Sequence, residues 1–253
     1  MQRFHADDGA ELAFAERGSG KPALLFIHGW QADHNVWNEL IAALGAQTHT
    51  VALDARGSGD SRAAPGPYRL ERFAADLCDL IETRNLDAAV LVGHSMGATA
   101  ALRFAVDHPD LTRALVLIAP VPASGGAYSP NGEAYLRSTA GDPVAARNWL
   151  SRTFAHPPDE ERLERLCAAA AKTQRNVALE SFQSWAHASF AEETRAIAAP
   201  ALVIAPERDA RGTHERVADL LPNSRYVELP DCAHYAILER PQAIADLIRE
   251  FVR

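Results

Sequence analysis

The pentapeptide Gly93-His94-Ser95-Met96-Gly97 follows a run of apolar residues and leads straight into sequence of helical periodicity, Ser95–Asp107. Gly-X-Ser-X-Gly between a buried strand and a helix is the pattern of a nucleophile elbow. A turn this tight needs small residues two places before and two places after the serine, and it holds the serine itself in a strained backbone conformation. In return the hydroxyl stands exposed at a helix N-terminus, where the partial positive charge favours a developing oxyanion. The chemistry so prepared is nucleophilic attack on a carbonyl carbon.

A serine hydroxyl is a weak nucleophile at neutral pH and needs a base. Where such an elbow is used, its partners follow in the order serine, acid, histidine. Among ten histidines, His234 in "LPDCAHYAILERP" stands in a loop between a strand-like run and the final helical segment. The acid belongs at the end of an intervening strand. "PERD", after Ala201–Ala205, offers Asp209, with Glu207 as the weaker choice. The alternative place, after Ala114–Ala119, reads Pro120-Val121-Pro122-Ala123 and has no carboxylate, which favours Asp209. An oxyanion hole needs two backbone N–H groups. Met96 follows the nucleophile, and Trp30 in "FIHGW" follows Gly29, which permits a close approach. His28 and His94 read as supports for these loops. The candidate pocket residues are His34, Tyr128, Trp149, Trp185 and Tyr235, with His34 open to a second reading as the start of a helix. Tyr128, Trp149 and Trp185, with Phe154 and Phe182, also read as core of their own segment, of which one or two reach the pocket, and Cys232 reads as a small buried residue.

The elements that must hold these groups are visible as a rhythm. "ALLFI" (23–27), "TVALD" (50–54), "AAVLV" (88–92), "ALVLIA" (114–119) and "ALVIA" (201–205) are nearly continuous apolar runs, the mark of strands buried on both faces of a parallel sheet. Segments 36–44, 70–84 and 95–107 carry apolar residues three or four apart, so strands alternate with helices. "LAFAE" and "RYVEL" add strands, one of them in an N-terminal hairpin. From about residue 123 to 196 the strands stop and helix-prone sequence takes over, over 143–154, 160–172 and 176–190. The predicted organisation is an α/β core in two parts, 1–122 and 197–253, with a helical cap or lid at 123–196.

These residues together resemble the α/β-hydrolase superfamily over nearly the whole chain. The resemblance rests on His28-Gly29-Trp30, the stretch Asp54–Ser61, Gly93–Gly97, Asp209 and His234, in that order. It is nearest to the branch of small carboxylesterases, enol-lactonases, cofactor-free perhydrolases and carrier-protein methyl esterases. It implies an eight-stranded, mostly parallel sheet with helices on both faces, a triad of Ser95, Asp209 and His234, and a bracing role for Asp54–Ser61. The chain departs from the pattern at Ala98, Pro206 and Ala233, where relatives often have glycine; Pro206 bears most on the turn that presents the acid. The activity implied is hydrolysis of a small ester or lactone through an acyl-enzyme on Ser95, without cofactor or metal. The alternatives are C–C bond hydrolysis of a β-diketone-like substrate, cofactor-free oxygenation or perhydrolysis, and a ligand-binding receptor on the same fold.

Bulk properties exclude other classes. The 253 residues carry a net charge of −8 and no Lys/Arg run, which argues against a nucleic-acid partner. Three cysteines, Cys78, Cys167 and Cys232, suggest neither a disulfide framework nor a zinc site. Arg17–Pro22 lacks the phosphate-loop pattern and leads into a strand. With no leader-like start and no long apolar run, the expected compartment is the cytoplasm, with no membrane partner.

Overall fold

The structure is a computed structural model and describes residues 1–210 and 212–253. Its centre is one eight-stranded sheet of order β1-β2-β4-β3-β5-β6-β7-β8. β1 (Gln2–His5) and β2 (Glu11–Arg17) form the N-terminal hairpin, and β2 runs antiparallel to β4 (Thr50–Leu53). The remaining pairings, through β3 (Leu24–Ile27), β5 (Ala89–His94), β6 (Thr112–Ile118), β7 (Ala201–Pro206) and β8 (Ser224–Leu229), are all parallel. β3 to β7 are buried at almost every position. Strands covered on both faces need no polar alternation, which is why they read as apolar runs.

Helices cover both faces. α1 (Asn38–Leu44) and α10 (Pro241–Phe251) share a core with Phe26, Trp37, Val92, Val116 and Ile204. On the other side α2 (Leu70–Thr83) and α3 (Met96–Asp107) pack over Leu25, Leu53, Leu91 and Leu117. α2 buries Leu70, Phe73, Ala74, Leu77, Leu80 and Ile81, the spacing of a single apolar stripe.

Between β6 and β7 the chain leaves the sheet and builds four helices, α4 (Pro130–Ser138), α5 (Pro143–Leu150), α6 (Glu160–Lys172) and α7 (Arg175–Ala186). Three of them open on a capping side chain: Ser129 accepts from Gly132 N–H, Asp142 from Val144 and Ala145 N–H, and Asp159 from Arg162 N–H. Pro130 and Pro143 stand at first helical positions, where no N–H is needed. α4 has no fully buried residue. The insertion is fastened to the core by side chains of α7, since Glu180 and Ser184 accept the N–H groups of Tyr68 and Leu70 at 2.9 Å and complete the N-terminus of α2. α8 (Thr213–Leu220) and the short α9 (Ala236–Glu239) follow the two loops that carry the acid and the histidine. No helix among the described residues is long and apolar enough to cross a membrane.

Candidate active site

Ser95 sits between the end of β5 and the start of α3 with φ 54° and ψ −121°, a region L-residues rarely occupy. The flanking glycines explain how this is held. A Cβ on Gly93 would lie 2.5 Å from Ala98 Cα and from Gly97 O, and one on Gly97 would lie 2.1 Å from Ile27 O. Neither position accepts even alanine without movement of backbone. Ser95 N–H is tied to Ile118 O of β6 at 3.1 Å, so the strained residue is anchored to the neighbouring strand.

His234 Nε2 lies 3.1 Å from Ser95 Oγ, and its Nδ1 lies 2.9 Å from Asp209 Oδ2. With Nδ1–H donating to the carboxylate, Nε2 is free to accept the serine proton. Burial opposes a charged imidazole at His234, yet the Asp209 carboxylate outweighs it and raises the His234 pKa above its ordinary value. Burial likewise opposes ionisation of Asp209, but the facing His234 charge, with contacts from His214 and His234, holds its carboxyl far below the usual carboxylate range. Asp209 is presented by a stitched loop. Its N–H donates to Pro206 O at 3.1 Å, so the proline ends β7 and closes the turn with its carbonyl. Glu207 turns away and accepts Asp231 N–H at 2.9 Å, as a brace between the two loops.

The expected supports are in place. His94 is buried, and its Nε2–H donates to the carbonyl of His234 at 2.8 Å, tying the elbow to the loop of the base. Burial, with the neighbouring His234 charge, pushes the His94 pKa down to about 3, so it is neutral and its tautomer is set by that bond. His28 Nδ1–H donates to Gly29 O at 2.8 Å while its Nε2 accepts Ala55 N–H at 3.0 Å. This turns the Gly29 carbonyl aside. Among the described residues, neither Trp30 N–H nor Met96 N–H donates to a protein acceptor. The Trp30 indole donates to Ala178 O of α7 at 2.9 Å, a second fastening of the insertion. Arg56, in the expected bracing stretch, is fully buried and bound by Asp76 and Asp8.

A cavity of about 310 Å³ opens over Ser95 and His234. Tyr128, Trp149 and Trp185 of the insertion line it with Trp30 and Tyr235. His34 does not. It opens a short 3₁₀ helix, His34–Trp37, and its Nδ1 lies 3.0 Å from both carboxylate oxygens of Asp54. The pocket role is therefore corrected: the buried Asp54 carboxylate needs donors, and His34 supplies its ring and its backbone N–H there. Sequence reasoning missed His214, whose Nε2 lies 3.3 Å from Asp209 Oδ2, off the line of a hydrogen bond, while its Nδ1–H donates to Pro120 O at 3.1 Å. It also missed Arg152 and Arg208 on the cavity wall. These residues belong to a helix and turns without local motifs, so no spacing announced them. Among the described residues no group of three or more His, Cys, Asp or Glu side chains is arranged to hold a metal ion.

An eight-stranded, mostly parallel sheet with a strained serine between strand and helix defines a class, and residues 24–247 match the model of the alpha/beta hydrolase family. The chain belongs to that family and has its fold. The chain is similar to the crystal structure of an enol-lactonase from Burkholderia xenovorans LB400, with a TM-score of 0.88, 25% identity and 99% of each chain covered. It is equally similar to a thermophilic esterase from Thermogutta terrifontis, at TM-score 0.88 and 27% identity, covering 100% of this chain and 98% of that one. A third relative is BpoC of Mycobacterium tuberculosis, provisionally described as a non-heme bromoperoxidase, 29% identical over 95% of this chain and 97% of its own.

Proposed function

We propose that this hydrolase cleaves the ester or lactone of a small organic substrate through an acyl-enzyme on Ser95. The observation that carries the reading is the continuous relay Ser95–His234–Asp209 at 3.1 and 2.9 Å, opening into a cavity. Ser95 Oγ attacks the carbonyl carbon while His234 Nε2 takes its proton, and Asp209 holds the imidazole and stabilises its charged form. The Trp30 and Met96 N–H groups receive the oxyanion of the tetrahedral intermediate, each worth about 3 kcal/mol in such sites. His234 returns the proton to the leaving alcohol as the C–O bond breaks. Water then attacks the acyl-enzyme, gives its proton to His234, and the acid departs as Ser95 recovers its hydrogen. The helices of residues 123–196 act as the cap that shapes the acyl and alcohol pockets, Tyr128, Trp149, Trp185 and Tyr235 among their walls.

The likeness to BpoC favours one second reading, in which hydrogen peroxide replaces water at the acyl-enzyme and releases a peracid. Both readings share the first half of the reaction. The test is turnover of 4-nitrophenyl esters of increasing acyl length by the wild type and by Ser95→Ala. The expected result is hydrolysis by the wild type that vanishes in the folded variant. Turnover that survives Ser95→Ala contradicts the mechanism.

A further inference from the structure

Charge around the cavity is not what the chain as a whole would suggest. The protein carries a net charge of −8, yet among the described residues the acidic and basic side chains on the cavity wall, histidines aside, are Arg152, Arg208 and Asp209. Asp209 is committed to His234. Arg208 reaches Asp231 at 3.2 Å, a carboxylate that also faces His156 at 2.8 Å and Arg240 at 3.7 Å. Arg152 is left. Among the described residues its guanidinium has neither a carboxylate within ion-pair distance nor a hydrogen-bond acceptor. Its neighbours in the insertion are different: Arg147 is bound by Glu160 and Glu164, and Arg162 and Arg165 both hold Glu39.

Arg152 is also held in place relative to the catalytic candidates. Its N–H donates to Trp149 O at 3.0 Å and closes the end of α5. The next residue, Thr153, accepts Tyr235 N–H at 3.3 Å, directly beside His234. Phe154 stacks on Tyr235 at 5.4 Å and 13°. Ala155 N–H and Ala233 N–H are gathered by one carboxylate, that of Glu239, at 2.9 and 2.8 Å. The backbone that bears Arg152 and the backbone that bears His234 are thus one fastened unit. Arg152 is exposed and reaches the cavity wall from this anchored backbone, and its guanidinium is a planar, always charged fork that matches a carboxylate.

We propose that the substrate carries a free carboxylate away from its scissile carbonyl, and that Arg152 receives it. The proposal rests on the ester or lactone reading of the site and narrows it to half-esters and lactones of dicarboxylic or hydroxy-dicarboxylic acids. The aromatic walls take the carbon chain between the two ends, and a cavity of about 310 Å³ limits that chain to a few carbons. Binding the anion covers the guanidinium and removes it from water, which is where such a pair gains strength.

The test compares kcat/KM for matched esters within each protein: monoethyl adipate against ethyl hexanoate for an acyl-side charge, and 4-acetoxybutanoate against butyl acetate for an alcohol-side charge. In the wild type one charged ester is expected to exceed its neutral partner, and the charged-to-neutral ratio falls about tenfold in Arg152→Gln, chiefly through KM, the effect of one charge-assisted bond. Arg152→Lys recovers part of it. A wild-type ratio at or below one for both pairs, or a ratio unchanged in Arg152→Gln, overturns the proposal and leaves Arg152 a solvated surface residue. If no ester of either kind is turned over, it is the hydrolase reading that has failed. Calorimetric binding of adipate then decides the carboxylate site separately: binding lost in Arg152→Gln supports it, and no binding to the wild type overturns it.

Discussion

His234–Asp209 and His34–Asp54 are the same local chemistry built twice. In each pair an imidazole Nδ1 lies about 3 Å from a carboxylate, at 2.9 Å and 3.0 Å respectively. In each, burial opposes the charged imidazole, the carboxylate outweighs it and the histidine pKa rises. In each the acid is held below its ordinary range against burial. The difference lies beyond the pair. His234 turns its Nε2 to Ser95 Oγ inside a cavity that Trp30 also lines. His34 lies in a separate groove beside Glu16 and Arg17, and Asp54 spends its remaining capacity on the backbone N–H groups of His34 and Asp60. A histidine–aspartate pair is therefore as good a loop fastener as a proton relay. In the proposed mechanism, what makes a relay of His234–Asp209 is the strained serine at its free nitrogen.

The largest contrast comes from breaking each pair at the same place. His234→Ala is expected to lower kcat on the order of 10⁶-fold, as loss of a triad base does elsewhere, while folded His34→Ala is expected to keep most of its kcat, because His34 touches neither Ser95 nor the cavity. Asp209→Asn is expected to cost about 10⁴ in kcat by leaving His234 in the wrong tautomer. Asp54→Asn acts on stability instead. It leaves donors of His34 and Asp60 poorly matched, a loss of about 2 kcal/mol, seen as a lower midpoint in urea with kcat of the native fraction retained. A large kcat loss in His34→Ala would erase the distinction.

pH separates the pairs more gently. His234 must be neutral to accept the serine proton, and its pKa is raised, so the acid limb of kcat/KM is expected above about 6.5, the ordinary imidazole value. In Asp209→Asn the limb moves down, because the carboxylate that raises it is gone. The stability contribution has the opposite sign. A histidine whose folded pKa is raised stabilises most fully below about 6.5 and loses that contribution as pH rises through the folded value. Because His34 is raised too, part of this decline in stability persists in Asp209→Asn even though the activity limb has moved. A limb unmoved in Asp209→Asn would assign it to another group.

How far the sequence could be read follows from which signals are local. β3 to β7 were legible because burial on both faces leaves nearly only apolar residues there, and β2 and β8 because short runs of strand-favouring residues, "LAFAE" and "RYVEL", lie within them. The elbow was legible because its steric demand falls on fixed positions, Gly93 and Gly97. The loop after β7 was legible as the place of the acid, but it holds both Glu207 and Asp209; the structure adds a reason to prefer Asp209, since Glu207 is occupied by Asp231 N–H. α4 was not anticipated, because its short sequence, "PNGEAYLRS", opens on Pro-Asn-Gly and gathers its apolar side chains at Ala134, Tyr135 and Leu136, too few to show a period. His34 was misplaced because the donors Asp54 needs come from twenty residues away in sequence. His214, Arg152 and Arg208 were missed for a related reason. Their roles exist only where the insertion and two distant loops converge on one cavity.

The central claim is that Ser95 is the nucleophile and His234 its base. It is tested most directly by reaction with diethyl 4-nitrophenyl phosphate, followed by mass spectrometry of the intact chain and of its peptides. The account predicts release of 4-nitrophenol with a single phosphoryl adduct on Ser95 in the wild type and in His34→Ala, and strongly slowed labelling in His234→Ala. An adduct on another residue, or labelling of Ser95 at an undiminished rate in folded His234→Ala, would contradict it.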